Sequence, residues 1–149
     1  MTAMMWPAVV EVRLERGVVE AAARNRNGLT YKGFGVLSGN ATSSLLLDYK
    51  AEQPVAYWRM VKTLFGGQRP LMNIVKIEMG NDRNNSTGPN VATMRDRDDY
   101  PAVSSEPGFQ LASDARRYNP DIKVSILRWM APTWVHSNDD VYRWYKNTI

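Results

Sequence analysis

The stretch Met72–Ser86, MNIVKIEMGNDRNNS, decides how the chain is read. Ile74, Lys76 and Glu78 alternate with Val75, Ile77 and Met79, so a strand here has one face bearing charges and one apolar face. A helix-like segment precedes it, and a second helix-like segment and another apolar run follow. That order predicts a βαβ array with helices covering the sheet. The charged face of the strand then looks into a barrel mouth or cleft. Gly80, Asn81 and Asp82 open a polar loop at the carboxyl end of the strand, which is where α/β folds bind ligands.

Upstream, Thr30–Leu37 reads as a strand in which Gly33 and Gly35 share one face, as for a close backbone or ligand approach. Ser38, Gly39 and Asn40 form the loop that ends it. Thr42 or Ser43 is placed to cap a helix packed by Leu45, Leu46, Leu47 and Tyr49. Pro54 suits the first turn of a second helix, with Val55, Tyr57, Trp58, Val61, Leu64 and Phe65 on its apolar face and Gly66-Gly67 as its stop. Downstream, residues 83–105 have no apolar period and predict a long functional or disordered loop. Pro107–Arg117 predicts a helix with Leu111, Ala112 and Ala115 inward. Asp121–Trp129 predicts a third strand with Ile122, Val124 and Ile126 on one face. The aromatic loop Trp129–Trp134, WMAPTW, follows, and Asp139 or Asp140 caps a last helix over Val141–Lys146. Residues 1–27 stay unassigned, with Ala8–Leu14 fitting a strand and Val18–Arg24 a short helix.

The 149 residues suffice for one domain with a real core, and 44% apolar with 23% charged residues is a globular composition. The absence of cysteine excludes a disulfide scaffold, a thiol nucleophile and a thiolate-bound metal. His136 is the single histidine, which argues against a histidine metal cluster or a Ser-His-Asp triad and suits a surface loop. The net charge of +4 is spread among acids, favouring a solvated surface over a nucleic-acid face. No apolar run is long enough for a membrane span, and no signal peptide is visible, so the compartment stays unassigned. Asp96, Asp98 and Asp99 with Arg95 and Arg97 read as a solvated loop, with calcium binding the weaker alternative. Asn40-Ala41-Thr42, Asn84-Asn85-Ser86 and Asn85-Ser86-Thr87 match the glycosylation pattern.

The three strand-end loops bring a glycine-polar segment, a long polar loop and two tryptophans to one rim. Indole faces cover the C–H surface of a sugar ring while amides, hydroxyls and carboxylates fix its orientation. The segments GFGVLSGNATSSLLLDY, NIVKIEMGND and YNPDIKVSILRWMAPTW make this specific. They resemble glycoside hydrolase family 59, the galactocerebrosidase family, over roughly Gly28 to Trp134. The family pattern matches at Gly33, Gly35, Ser38, Gly39, Ala41, Thr42, Ser43, Lys76, Glu78, Gly80, Asp82, Trp129, Pro132 and Trp134. It departs at Asn81, where the family has glycine, and at Arg128, where it has proline. The W-x-x-P-x-W loop is also similar to that of the glucocerebrosidase family.

The resemblance implies a (β/α)8 barrel that removes a terminal β-galactose with retention. It places the two catalytic glutamates at the ends of the fourth and seventh strands. Only three strands are legible here and no Asn-Glu motif precedes Ile149, so residues 28–149 are expected to be the amino-terminal part, about three βα units, of a barrel of about 250 residues. The implied sugar contacts are Ser86, Trp129 and Asp82, with no catalytic residue, metal ligand or cofactor in the chain. Lys76 and Glu78 are expected to pair inside the barrel, and Trp134 to be structural. The implied partner is a β-galactoside or galactosylceramide-like glycolipid rather than a nucleic acid, with self-association through an open barrel edge. The alternative reading is a small complete α/β carbohydrate-binding module without catalysis.

Overall fold

The computed structural model describes residues 11, 13, 15–22, 28, 31–85 and 88–149. The chain divides into two compact units, Met1–Lys32 and Gly33–Ile149. In the first, helix α1 spans Arg16–Ala22 and carries an exposed ion pair, Arg16 Nε to Glu20 Oε1 at 2.7 Å, across one turn. It begins two residues before the expected helix. The strand expected over Ala8–Leu14 lies mostly outside the described residues.

The second unit runs β1 (Phe34–Ser38), α2 (Asn40–Glu52), α3 (Pro54–Phe65), β2 (Met72–Met79), a short hairpin of β3 (Asn84–Asn85) and β4 (Gly88–Pro89), a 3-10 turn (Val103–Ser105), α4 (Pro107–Arg116), β5 (Lys123–Arg128) and α5 (Asn138–Thr148). Strands β1, β2 and β5 form one parallel sheet in that order. Val36 pairs with Val75 and Val75 with Val124, while Ser38 pairs with Ile77 and Ile77 with Ile126. All three strands therefore point the same way, and the α/β class follows from this parallel array with helical crossovers.

The central strand β2 carries the core. Val75, Ile77 and Met79 are fully buried, as their alternation predicts. Val75 and Ile77 meet Tyr57, Val61 and Phe65, one four-residue stripe of α3, and Ala112 and Ala115 of α4. Pro54 opens α3 and Gly66 closes it, its N–H bonded to Lys62 O. The expected apolar face is narrower than read: Val55 is exposed. Under α4, Asp114 Oδ2 accepts from Tyr57 Oη at 2.8 Å and from Lys50 Nζ at 2.6 Å, tying α2, α3 and α4 together. Burial pushes the Tyr57 hydroxyl well above its ordinary pKa, and the Asp114 bond and charge push it further. A second cluster joins Met79, Met94 and Trp144 to Ala131, Trp134 and Val135, past the carboxyl end of β2.

Three local expectations are corrected. Gly39, not Thr42 or Ser43, stands at the N-cap of α2; Thr42 Oγ1 donates back to Gly39 O, and Ser43 is buried against Ser38. Ser137, not Asp139 or Asp140, caps α5, in a reciprocal capping box with Asp140. The segment 83–105 is not a structureless loop: it contains the hairpin and the 3-10 turn and buries Asn90, Ala92, Thr93 and Met94. Its burial is missed by an apolar pattern because half of it is polar. Thr93 Oγ1 accepts from Trp144 Nε1 and pairs with Thr148 Oγ1, each at 3.0 Å. The close approach expected at the glycines of β1 is made by the neighbour strand. A Cβ on Gly33, whose φ is +102°, would overlap the Asn73 side chain, and one on Gly35 would fall 2.9 Å from Ile74 Cβ.

Candidate functional site

The carboxyl ends of β1, β2 and β5 lie at one edge of the sheet, and each leads into a loop singled out by its sequence. At the end of β1, Ser38 belongs to the strand and not to the loop. Its hydroxyl is buried and bonded to Ser43 Oγ at 2.6 Å, so it is engaged internally.

At the end of β2, Asn81 and Asp82 organise the rim. Asn81 Nδ2 donates to Ala131 O at 3.2 Å, joining the β2 loop to the tryptophan loop after β5. Asn81 Oδ1 also accepts from Arg83 N. Asp82 takes a left-handed backbone, φ 65°, a conformation that Asp tolerates better than most residues. Its Oδ1 accepts from Ala92 N and Arg95 Nη2, and its Oδ2 from Arg95 Nε at 2.6 Å. Burial alone would raise the Asp82 pKa, but Arg95 and the Ala92 amide outweigh it and hold the carboxylate below its usual range. Three of the four lone-pair directions of this carboxylate are thus occupied by the protein. Arg95 was read as part of a solvated loop. It is exposed, but it clamps that loop onto the rim. Arg97 and Arg143 tie the same loop to α5 through Asp140 and Asp98, and Asp99 closes its turn by accepting from the amides of Arg95 and Asp96. Among the described residues no group of three or more His, Asp or Glu side chains converges to hold a metal ion.

Ser86, the expected hydroxyl contact, falls between β3 and β4 and lies outside the described residues. Just beyond the hairpin, Asn90 is fully buried and stitched by its backbone, accepting from Asp82 N and donating to Arg83 O.

After β5, the two tryptophans divide. Trp129 is 59% exposed. Trp134 is half-buried in the second cluster and donates from Nε1 to Met94 O at 3.2 Å, the structural part expected of it. His136 is exposed, its backbone N–H bonded to Asp140 Oδ2.

The strand face itself separates two charged residues by exposure. Lys76 is exposed whereas Glu78 is only 9% exposed, so the carboxylate is the more withdrawn of the two from solvent. A second buried carboxyl was missed altogether. Glu106 is fully buried at the N-cap of α4, and its Oε2 accepts from Phe109 N at 2.9 Å. The only sequence signal for it is Glu immediately before Pro at a helix start, and Glu is not among the preferred N-caps. Burial, its dominant influence, raises the Glu106 pKa; the Phe109 and Gly108 amides oppose this, and the Glu78 charge adds to it. Chemically the rim offers an exposed indole beside an ordered amide–carboxylate–guanidinium loop.

Residues 31–149 match glycosyl hydrolase family 59. The chain is 32% identical over 111 residues to a putative galactocerebrosidase of Caenorhabditis elegans, covering 74% of this chain and 17% of that protein. It is 32% identical over 114 residues to a galactocerebrosidase of Danio rerio, covering 72% of this chain and 16% of that one. A galactocerebrosidase of Salmo salar matches to the same extent. The chain thus spans about one-sixth of the length of the curated relatives it matches. No solved structure gives a significant match.

Proposed function

The chain belongs to glycosyl hydrolase family 59, and from that premise we propose that it forms the first three βα units of a (β/α)8 barrel whose rim recognises a terminal β-galactosyl group. The substrate class is a galactosylceramide-like glycolipid, in keeping with the names of the relatives. The observation that carries the reading is Trp129, a largely exposed indole at the carboxyl end of β5. Its face covers the apolar side of the sugar. Asp82, steadied by Arg95, accepts a hydroxyl through its remaining lone pair, and Ser86 supplies a further hydroxyl contact.

The register of the sheet supports the partial barrel. Leu37 on β1 and Val124 on β5, the two edge strands, are 51% and 49% exposed. Apolar side chains left open along both edges are what remains when neighbouring strands are absent, and they favour self-association over a free-standing binding module. Retention of configuration needs two carboxyl groups about 5 Å apart, one of them nucleophilic. We assign neither to this chain, so its part in the reaction is to hold the sugar while carboxylates elsewhere in the barrel cleave the bond.

Retention of the chain on a galactose-bearing resin tests this. The unaltered chain is expected to be held and to elute with free galactose, and Trp129→Ala is expected to pass through with its far-ultraviolet spectrum unchanged. Equal retention of both proteins would remove Trp129 from the site.

A further inference from the structure

Glu106 is used by no step of the proposed recognition, yet it occupies a demanding position. The first turn of α4 presses directly on the ends of β1 and β2: a methyl group on Gly108 would fall 2.6 Å from Ser38 Oγ, 2.8 Å from Ile77 Cγ2 and 3.0 Å from Glu106 Oε2. The Glu106 carboxyl is therefore wedged into the crevice between α4 and the sheet with none of its surface exposed. Oε2 is satisfied by the Phe109 amide, but Oε1 has no hydrogen-bond partner among the described residues.

Every element packed against α4 bears on this carboxyl. From β1 come the hydroxyl of Ser38 and no charge. From β2 comes Glu78, of the same sign and itself buried. The 3-10 turn Val103–Ser105 offers no titratable group. Lys50 of α2 and Tyr57 of α3 are bonded to Asp114, eight residues further along α4, about 12 Å away along the helix axis. Among the described residues no lysine, arginine or histidine pairs with Glu106. A buried carboxylate without a cation is far more costly than the neutral acid.

We propose that Glu106 is a proton-dependent latch. As a neutral acid it seats the first turn of α4 on the ends of β1 and β2; on ionising it lets that turn lift away. The inference is independent of the sugar-binding reading, but its consequence falls on the same rim. The direction follows from the raised folded-state pKa. The latch contributes fully below the ordinary glutamate range, about 4.3. Its contribution is lost as pH rises through the folded value, because the unfolded chain releases the proton more readily.

Thermal unfolding of the 149-residue chain across about pH 5 to about pH 8 tests it. The unaltered chain is expected to melt several degrees lower at the alkaline end. Glu106→Gln keeps the size and the acceptor but cannot ionise, so its melting temperature is expected to stay level across the window and to exceed that of the unaltered chain at the alkaline end. Glu78→Gln removes the like charge and is expected to move the midpoint of the loss to lower pH. Parallel curves for the unaltered chain and Glu106→Gln would overturn the latch. Should Glu106→Gln fail to fold, Glu78→Gln decides: a midpoint moved to lower pH sustains the latch, and an unmoved one overturns it.

Discussion

At the scale of single residues, the molecule shows how one acid can be structural and another poised, by environment alone. Asp114 is buried but doubly satisfied, by the Tyr57 hydroxyl and the Lys50 ammonium. Removing one donor leaves a buried carboxylate short of a partner, at a cost of about 1–3 kcal/mol. Tyr57→Phe is therefore expected to lower stability by that amount in urea unfolding while leaving the fold intact, and an unchanged midpoint would show that Lys50 alone suffices. Glu106 has no such cation among the described residues, and burial raises its pKa instead. Asp82 lies between these two: Arg95 holds it charged, so its clamp on the rim loop works above the ordinary carboxylate range and is released as pH falls through its lowered folded-state pKa. Of these three acids, sequence alone singled out only Asp82, from its place in Gly80-Asn81-Asp82. Its partner Arg95 is 13 residues away, and a pairing at that separation leaves no periodic trace. Trp129 was legible because its position after an apolar strand run says which end of the sheet it reaches.

At the scale of elements, legibility follows burial by apolar side chains. β2, α3 and α4 could be placed almost to the residue, since Val75, Ile77 and Met79 alternate, Tyr57, Val61 and Phe65 recur at helical spacing, and prolines mark two helix starts. β5 is shorter than its apolar run, and Val124 stays half-exposed because it lies on an edge strand. The segment 83–105 was misread because the residues that seat it, Asn90 and Thr93, are polar and buried by hydrogen bonds and packing. The start of α5 was misread by three residues, since two aspartates mask the serine before them. Ser137 is that cap, its Oγ accepting from Asp140 N. Ser137→Ala is expected to cost about 1 kcal/mol. Hydrogen exchange at Asp140 and Val141 should quicken in that variant, and unaltered protection there would contradict the assignment. Asp140 is held below its ordinary pKa mainly by the Ser137 hydroxyl and then by the His136 amide. The support it gives the helix start is thus present at neutral pH and lost only as pH falls through that lowered value.

At the scale of the whole molecule, a parallel sheet of three strands brings Asp82 and Trp129 to the loops at one edge and leaves Leu37 and Val124 about half exposed on its edge strands. Family membership is the ground on which a sugar-binding rim is proposed. The chain spans about one-sixth of the length of its relatives. The central claim is that the chain recognises a β-galactoside without cleaving it. A single titration with 4-nitrophenyl β-galactoside, following tryptophan fluorescence and 4-nitrophenol release in the same cuvette, addresses both halves. The account predicts a saturable change in fluorescence with no release of 4-nitrophenol. Release at a steady rate above the buffer control, or a fluorescence signal that never saturates, would contradict it.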